Sequence, residues 1–203
     1  MSKLISMCLY GDMEMYIQGA KENIALRKKI YPDWDMRIYV AEARPDLDCE
    51  TVVMGESHEH SGMFWRFLPL WEGVTIVRDT DSRFNLKEAQ AVEAWLASDY
   101  VAHSMHDHDH HRCYPLFGGM FGLKAGPASG VQNLQKSVQQ HMAQPQKRVA
   151  DMDWLTKYLW PYIKDSTLHH SSVDLVWPNS PFPVHEEGYF VGQQHDDSGP
   201  VWR

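Results

Sequence analysis

Between Gly73 and Phe84 the chain runs Gly-Val-Thr-Ile-Val-Arg-Asp-Thr-Asp-Ser-Arg-Phe, and no other stretch narrows the possible folds so far. Val74, Ile76 and Val77 are β-branched residues in a short run closed by charge, the pattern of a buried strand. Its C-terminal end delivers Asp79 and Asp81 into a crevice. Carboxylates two residues apart at such a tip can face one hard divalent cation, and Mg²⁺ or Mn²⁺ takes oxygen ligands while leaving room for substrate phosphates. Turns also favour Asp for their own backbone hydrogen bonding, but Asn85-Leu-Lys-Glu88 follows at once as a helix N-cap with Glu three residues on. Strand, acidic pair and helix in succession are how open α/β sheets place their sites. The expected fold is therefore α/β, with a mostly parallel mixed sheet flanked by helices.

The rest of the chain accommodates this. At 203 residues with 43% hydrophobic and 12% aromatic content, it can bury a sizeable core and is not disordered. A net charge of −8 supplies no overall basic field for a nucleic-acid backbone. Cys8, Cys49 and Cys113 are odd in number and lack Cys-x-x-Cys spacing, so neither a disulfide framework nor a zinc knuckle is implied. The apolar run at the start is too short for a signal sequence, and no membrane span is expected, which reads as a cytoplasmic protein.

Leu4 to Tyr10 reads as a first strand followed by a Gly11-Asp12 turn, then a helix with Tyr16, Ile17, Ala20, Ile24 and Ile30 on its apolar face. Met36–Val40 is a second strand, giving β-α-β with a right-handed crossover, and Thr51–Met54 a short third. In Met63-Phe-Trp-Arg-Phe-Leu68 one cation stands among apolar residues; Arg66 is either a snorkelling core side chain or a partner for the acidic pair. Helix Leu86–Ser98 and strand Val101–Met105 follow. His103 to His111 then holds five histidines in nine positions, read as a site-edge loop with Asp107 the residue facing substrate. In Pro115–Lys124, glycines alternate with bulky apolar residues, marking either a surface that a ligand lies against or tight packing. Helices are expected over 130–144 and from Val149, with Asp151 and Asp153 in the first turn of the latter favouring the helix dipole. From Thr167 on, the chain reads as irregular structure closing over a site.

In their order, Leu9-Tyr-Gly-Asp12, Ile30-Tyr-Pro-Asp-Trp34, Phe64-Trp-Arg-Phe-Leu-Pro-Leu70, Arg78-Asp-Thr-Asp-Ser-Arg83, Trp95-Leu96, His103 to His108, Leu116-Phe-Gly-Gly-Met-Phe-Gly122, Trp160-Pro161 and Phe190-Val-Gly192 span almost the whole chain. The series resembles small bacterial and viral nucleotide-sugar-dependent glycosyltransferases of the A-type fold, whose Asp-x-Asp binds a metal and the sugar-nucleotide diphosphate. The resemblance implies a single Rossmann-like domain over 1–203, with a nucleotide-sugar half (1–84) and an acceptor half (85–203). It places Tyr10 and Gly11 near base and ribose, Arg66 near the diphosphate, and Gly118, Gly119 and Asp107 along the sugar and acceptor space. Asp81 would ligate Mn²⁺ or Mg²⁺ directly, with Asp79 on the ribose or the metal shell. His169, with His195 behind it, is the candidate for a third ligand. Asp107 and Asp151 are the candidate general bases.

The implied reaction moves a hexosyl or pentosyl group from a nucleoside diphosphate sugar to an acceptor hydroxyl on a glycan, a lipid-linked sugar, a small metabolite or a modified DNA base. Two rivals compete with it. An aspartyl-phosphate phosphatase would use Asp79 as nucleophile, and a non-enzymatic metal-binding protein would use the histidine-rich segment.

Overall fold

A computed structural model describes residues 2–11, 13–125, 132–185, 188–196 and 198–201. Asp12 and the first two positions of the helix expected over 130–144 lie outside the described residues. Seven strands form one sheet in the order β3-β2-β1-β4-β6-β5-β7: β1 Lys3–Leu9, β2 Asp35–Val40, β3 Glu50–Val53, β4 Val74–Arg78, β5 Ala102–His106, β6 Met120–Lys124 and β7 Thr167–Ser171. All run in one direction except β6, which is antiparallel to both β4 and β5. Helix α1 (Glu14–Ile30) carries the chain from β1 to β2, and α2 (Leu86–Leu96) follows β4. The sheet grows outward from β1 through β2 to β3, then returns to place β4 on β1's other side. Ligand crevices in α/β sheets form at the carboxyl ends of strands where the order reverses. Here that point lies between β1 and β4.

Strand alternation decides what covers each face. Ile5, Met7, Leu9 and Ile76 turn to α1 and α2, where Ala20, Ile24, Val92 and Trp95 meet them. Val77, Phe121 and Leu123 turn the other way. That second face is covered by a 3-10 segment, His60–Trp71, by α3 (Gln132–Met142), and by α4 (Ala150–Trp154) with the turns running on to Ile163. Phe64, Phe67 and Leu70 are fully buried there, each contributing about 1.5–3 kcal/mol relative to exposure. Polar strand residues on this face are satisfied by the 3-10 segment: Ser6 Oγ donates to Arg66 O at 2.7 Å and Thr75 Oγ1 to Pro69 O at 2.9 Å.

Three expectations need correction. The segment His103–Arg112 is not a loop throughout, because His103 to His106 belong to β5 and are buried. The chain from Thr167 is not irregular from its start, because β7 pairs in parallel with β5. In both places histidines stand where β-branched residues are expected, and they tolerate burial because they bond one another: His103 Nε2 lies 2.8 Å from His170 Nδ1, and His106 Nε2 lies 3.2 Å from His169 Nδ1. The helix expected from Val149 is interrupted by a π turn at Leu155–Leu159 before Pro161. Proline lacks the N–H that an unbroken α-helix needs.

Candidate functional site

Asp79 and Asp81 follow β4 in a turn held from several sides. Asn23, fully buried on α1, donates from Nδ2 to Ser82 O at 2.8 Å and accepts from Phe84 N at 3.2 Å. Ser82 Oγ donates to Asp79 O at 3.1 Å, and Asn85 caps α2 by accepting from Glu88 N at 2.8 Å. Gly19 lets α1 approach the turn, since a Cβ there would stand 2.0 Å from Thr80 O. Sequence reasoning missed Asn23. Its signal was an amide among the apolar positions of α1, three residues after Ala20.

Both carboxylates help line a cavity of about 760 Å³, walled by the end of β1 (Cys8 to Gly11), the start of α1, the 3-10 segment, residues 148–152 and Gln194. Tyr10, Gly11, Arg66 and Asp151 all reach this wall. Arg66, buried with its guanidinium behind the acidic pair, donates from one nitrogen to Asp79 Oδ1 and from the other to Asp151 Oδ2 at 2.6 Å. Burial opposes its charge, but the carboxylates of Asp79 and Asp151 outweigh that and strengthen it. Asp151 is therefore more than a first-turn carboxylate: it is 5% exposed and joined to a cation 85 residues away in sequence.

Asp81 differs from Asp79. Burial first, and the charge of Asp79 second, push its carboxyl up to about 7. Two acidic groups in a partly dry site, of which only Asp79 has a guanidinium hydrogen-bonded to it, leave negative charge that a cation would offset. The oxygens offered are hard, and the one thiol on the wall, Cys8, is pushed up to about 12 by burial and stays protonated. This donor set fits Mn²⁺ or Mg²⁺ completed by water and phosphate, not a thiophilic metal. No group of three or more His, Cys, Asp or Glu placed to hold a metal ion occurs among the described residues.

Gly118 and Gly119 stand behind the carboxylates instead of on the cavity wall. A Cβ on Gly119 would lie 1.9 Å from Asp79 Oδ2, and one on Gly118 would lie 2.1 Å from Asp151 Oδ2. Packing, not ligand approach, explains these glycines.

Asp107 and His169 are placed elsewhere. Asp107 follows β5 and is not on the cavity wall; its two oxygens take Lys87 Nζ at 2.6 and 2.7 Å, and Oδ2 also accepts Val191 N at 2.9 Å. His169 lies on β7, three strands from β4, roughly 14 Å at the usual strand spacing. It lines a different cavity, of about 560 Å³, with Trp160 and Trp177. An ion held beside Asp81 would therefore lie out of its reach. The C-terminal segment does return to the acidic pair, through the second candidate: His195 N donates to Asp81 O at 2.7 Å, while its ring stacks on Tyr189. A third cavity, of about 270 Å³, sits at the opposite end of the strands among the exposed ion pairs of Arg37 with Glu50 and Glu72.

Comparison with known proteins places the fold. No family model matches the sequence, and no curated protein matches it. Among solved structures, the chain is similar to the crystal structure of a glycosyltransferase involved in the glycosylation of the major capsid of PBCV-1, with a TM-score of 0.54, 16% identity, and 84% of this chain and 82% of that chain covered. A second similarity, to 4-diphosphocytidyl-2C-methyl-D-erythritolsynthase from Anaerococcus prevotii DSM 20548, has a TM-score of 0.45 at 7% identity over 88% of this chain and 89% of that one. At such identities the likeness shows a Rossmann-like α/β fold shared with a glycosyltransferase. Among the described residues, no helix is long and apolar enough to cross a membrane.

Proposed function

We propose that this protein is a glycosyltransferase that takes a sugar from a nucleoside diphosphate sugar and joins it to an acceptor hydroxyl. The observation that carries the reading is the pairing of Asp79 and Asp81 on the wall of a cavity at the reversal point between β1 and β4, on a fold shared with a glycosyltransferase. In this reading Asp81 holds Mn²⁺ or Mg²⁺ directly and Asp79, half-covered by Arg66, completes its surroundings. Bound there, the ion would stabilise charge on the departing diphosphate.

The chain's own groups do the rest. Tyr10 and Gly11 at the end of β1 receive the nucleoside. Gly11 has φ +79°, a backbone conformation that favours glycine, and without a side chain it leaves room for a ligand against the backbone. Arg66 adds fixed positive charge beside the diphosphate. Both candidate bases are ion-paired, Asp151 with Arg66 and Asp107 with Lys87, but only Asp151 is on the cavity wall, and it is the candidate base. In an inverting transfer Asp151 takes the acceptor's proton as the acceptor oxygen bonds to the anomeric carbon. The bond from that carbon to the diphosphate breaks, and the diphosphate leaves with its electron pair. Against the histidine-rich rival, His103 and His106 are buried and bonded to His170 and His169, and no group of three or more His, Cys, Asp or Glu placed to hold a metal ion occurs among the described residues.

The test is a thermal-shift screen of UDP-, GDP-, CDP- and dTDP-sugars with and without Mn²⁺. A bound donor raises the midpoint by mass action, and the shift should vanish in Asp81→Asn. An unchanged shift in that variant refutes the reading.

A further inference from the structure

The C-terminal segment is the one wall of the cavity that comes from far along the chain without belonging to the sheet or its covering helices. Two grips hold it. Val191 is fully buried against Ala91, Met105 and Met120, and its N–H goes to Asp107. His195 N–H goes to Asp81 O. Between them Gly192, at φ +81°, presses so closely on Met120 that a Cβ would meet its sulfur at 2.3 Å. Gln193 turns its side chain inward, 2% exposed, and accepts Phe190 N at 3.3 Å. Gln194 is then the residue left to face the cavity.

Among the described residues on the wall, Gln194 supplies the only carboxamide. A carboxamide donates and accepts at once, which suits an uncharged hydroxyl that does the same, whereas a diphosphate is better met by Arg66 or a cation. Its chain neighbour His195 bonds to Asp81 O, which puts it on the acidic-pair side of the cavity, where the reading places the diphosphate and the sugar. We propose that Gln194 reads a hydroxyl of the transferred sugar, and that Asp107, clamped by Lys87, is the positioning residue that holds Gln194 there through Val191. The proposal rests on the glycosyltransferase reading and deepens it by naming what distinguishes one donor sugar from another.

The experiment uses the full chain and two probes, measured by titration calorimetry with Mn²⁺: the best-binding sugar nucleotide from the screen and its parent nucleoside diphosphate without sugar. Gln194→Ala should weaken the sugar nucleotide by about tenfold to a hundredfold and leave the nucleoside diphosphate within about twofold. Asp107→Ala, which removes the oxygen that accepts Val191 N–H, should lower the same affinity ratio, and the double variant should be no worse than the more severe single one. Equal loss of both probes in Gln194→Ala, or loss of neither, overturns the sugar-reading role. Additive losses in the double variant overturn the positioning role of Asp107. If the wild-type protein binds neither probe, the glycosyltransferase reading itself fails and takes this proposal with it.

Discussion

At the end of β4, Asp79 and Asp81 face a cavity with like charges close together and one carboxyl pushed up to about 7. Across the sheet, on β5 and β7, four histidines are buried in two hydrogen-bonded pairs. His103 also stacks on Trp95 with planes 14° apart, and His169 on Trp177 with planes 16° apart. Both clusters have the composition of a metal site. They differ in charge: the acidic pair carries excess negative charge beside open space, whereas burial keeps the four histidines neutral and bonded in pairs, with His103 Nδ1 and His169 Nε2 left without a partner among the described residues. Composition names possible ligands, and only unspent charge beside a cavity makes a site.

Four experiments break or sharpen that contrast. The largest effect is expected on binding: Asp81→Asn should reduce Mn²⁺-dependent affinity for a sugar nucleotide by at least about a hundredfold, the scale of losing a direct charged contact, while His106→Gln leaves it within about twofold. Equal losses in the two variants would erase the distinction. Next, Gly119→Ala should displace Asp79 and abolish binding while destabilising the fold by about 1–3 kcal/mol, the range for an overpacked site; calorimetry and urea unfolding separate the two effects.

The third contrast is in pH. Burial holds His169 at about 3 and His170 at about 4, below the ordinary 6.5. The folded protein then binds fewer protons than the unfolded chain between those values. The stability these histidines contribute is complete above about pH 6.5 and is lost as pH falls towards 4, by up to about 1.4 kcal/mol per unit for each. Urea midpoints should fall over that window, and His170→Asn should flatten the slope. Asp81 gives the opposite effect. Its carboxyl is raised from 3.8 to about 7, so the folded state holds the extra proton, and its contribution declines as pH rises from about 4 to 7. Asp81→Asn should remove this decline, and Mn²⁺ should oppose it in the wild type. A wild-type apo-protein whose stability keeps rising up to pH 7 at the same slope as Asp81→Asn would show that the two carboxylates do not repel.

What the sequence reached, it reached through local signals. The β-branched run before Asp79 and Asp81, the Asn85 cap, the opening β-α-β and the apolar face of α1 are each written within a few residues, because strand alternation, capping and helical periodicity are short-range physics. The glycines at 118 and 119 were visible, but which groups they admit was not. Arg66 was undecided between core and site until residues 79 and 151 were brought to its two nitrogens. His169 and Asp107 were placed at the site for their chemistry, and neither reaches the cavity wall.

Those matters turn on pairings between segments tens of residues apart, and the same side chain is a ligand or a core residue according to the partner it meets. β6 enters against the direction of its neighbours, β7 brings His169 and His170 beside β5, and the segment around His195 returns to Asp81. No local pattern encodes such encounters, because their free energy belongs to surfaces that exist only once the sheet has formed. The acidic pair at the tip of β4 was therefore legible from sequence alone, while the identity of everything around it was decided by the tertiary fold.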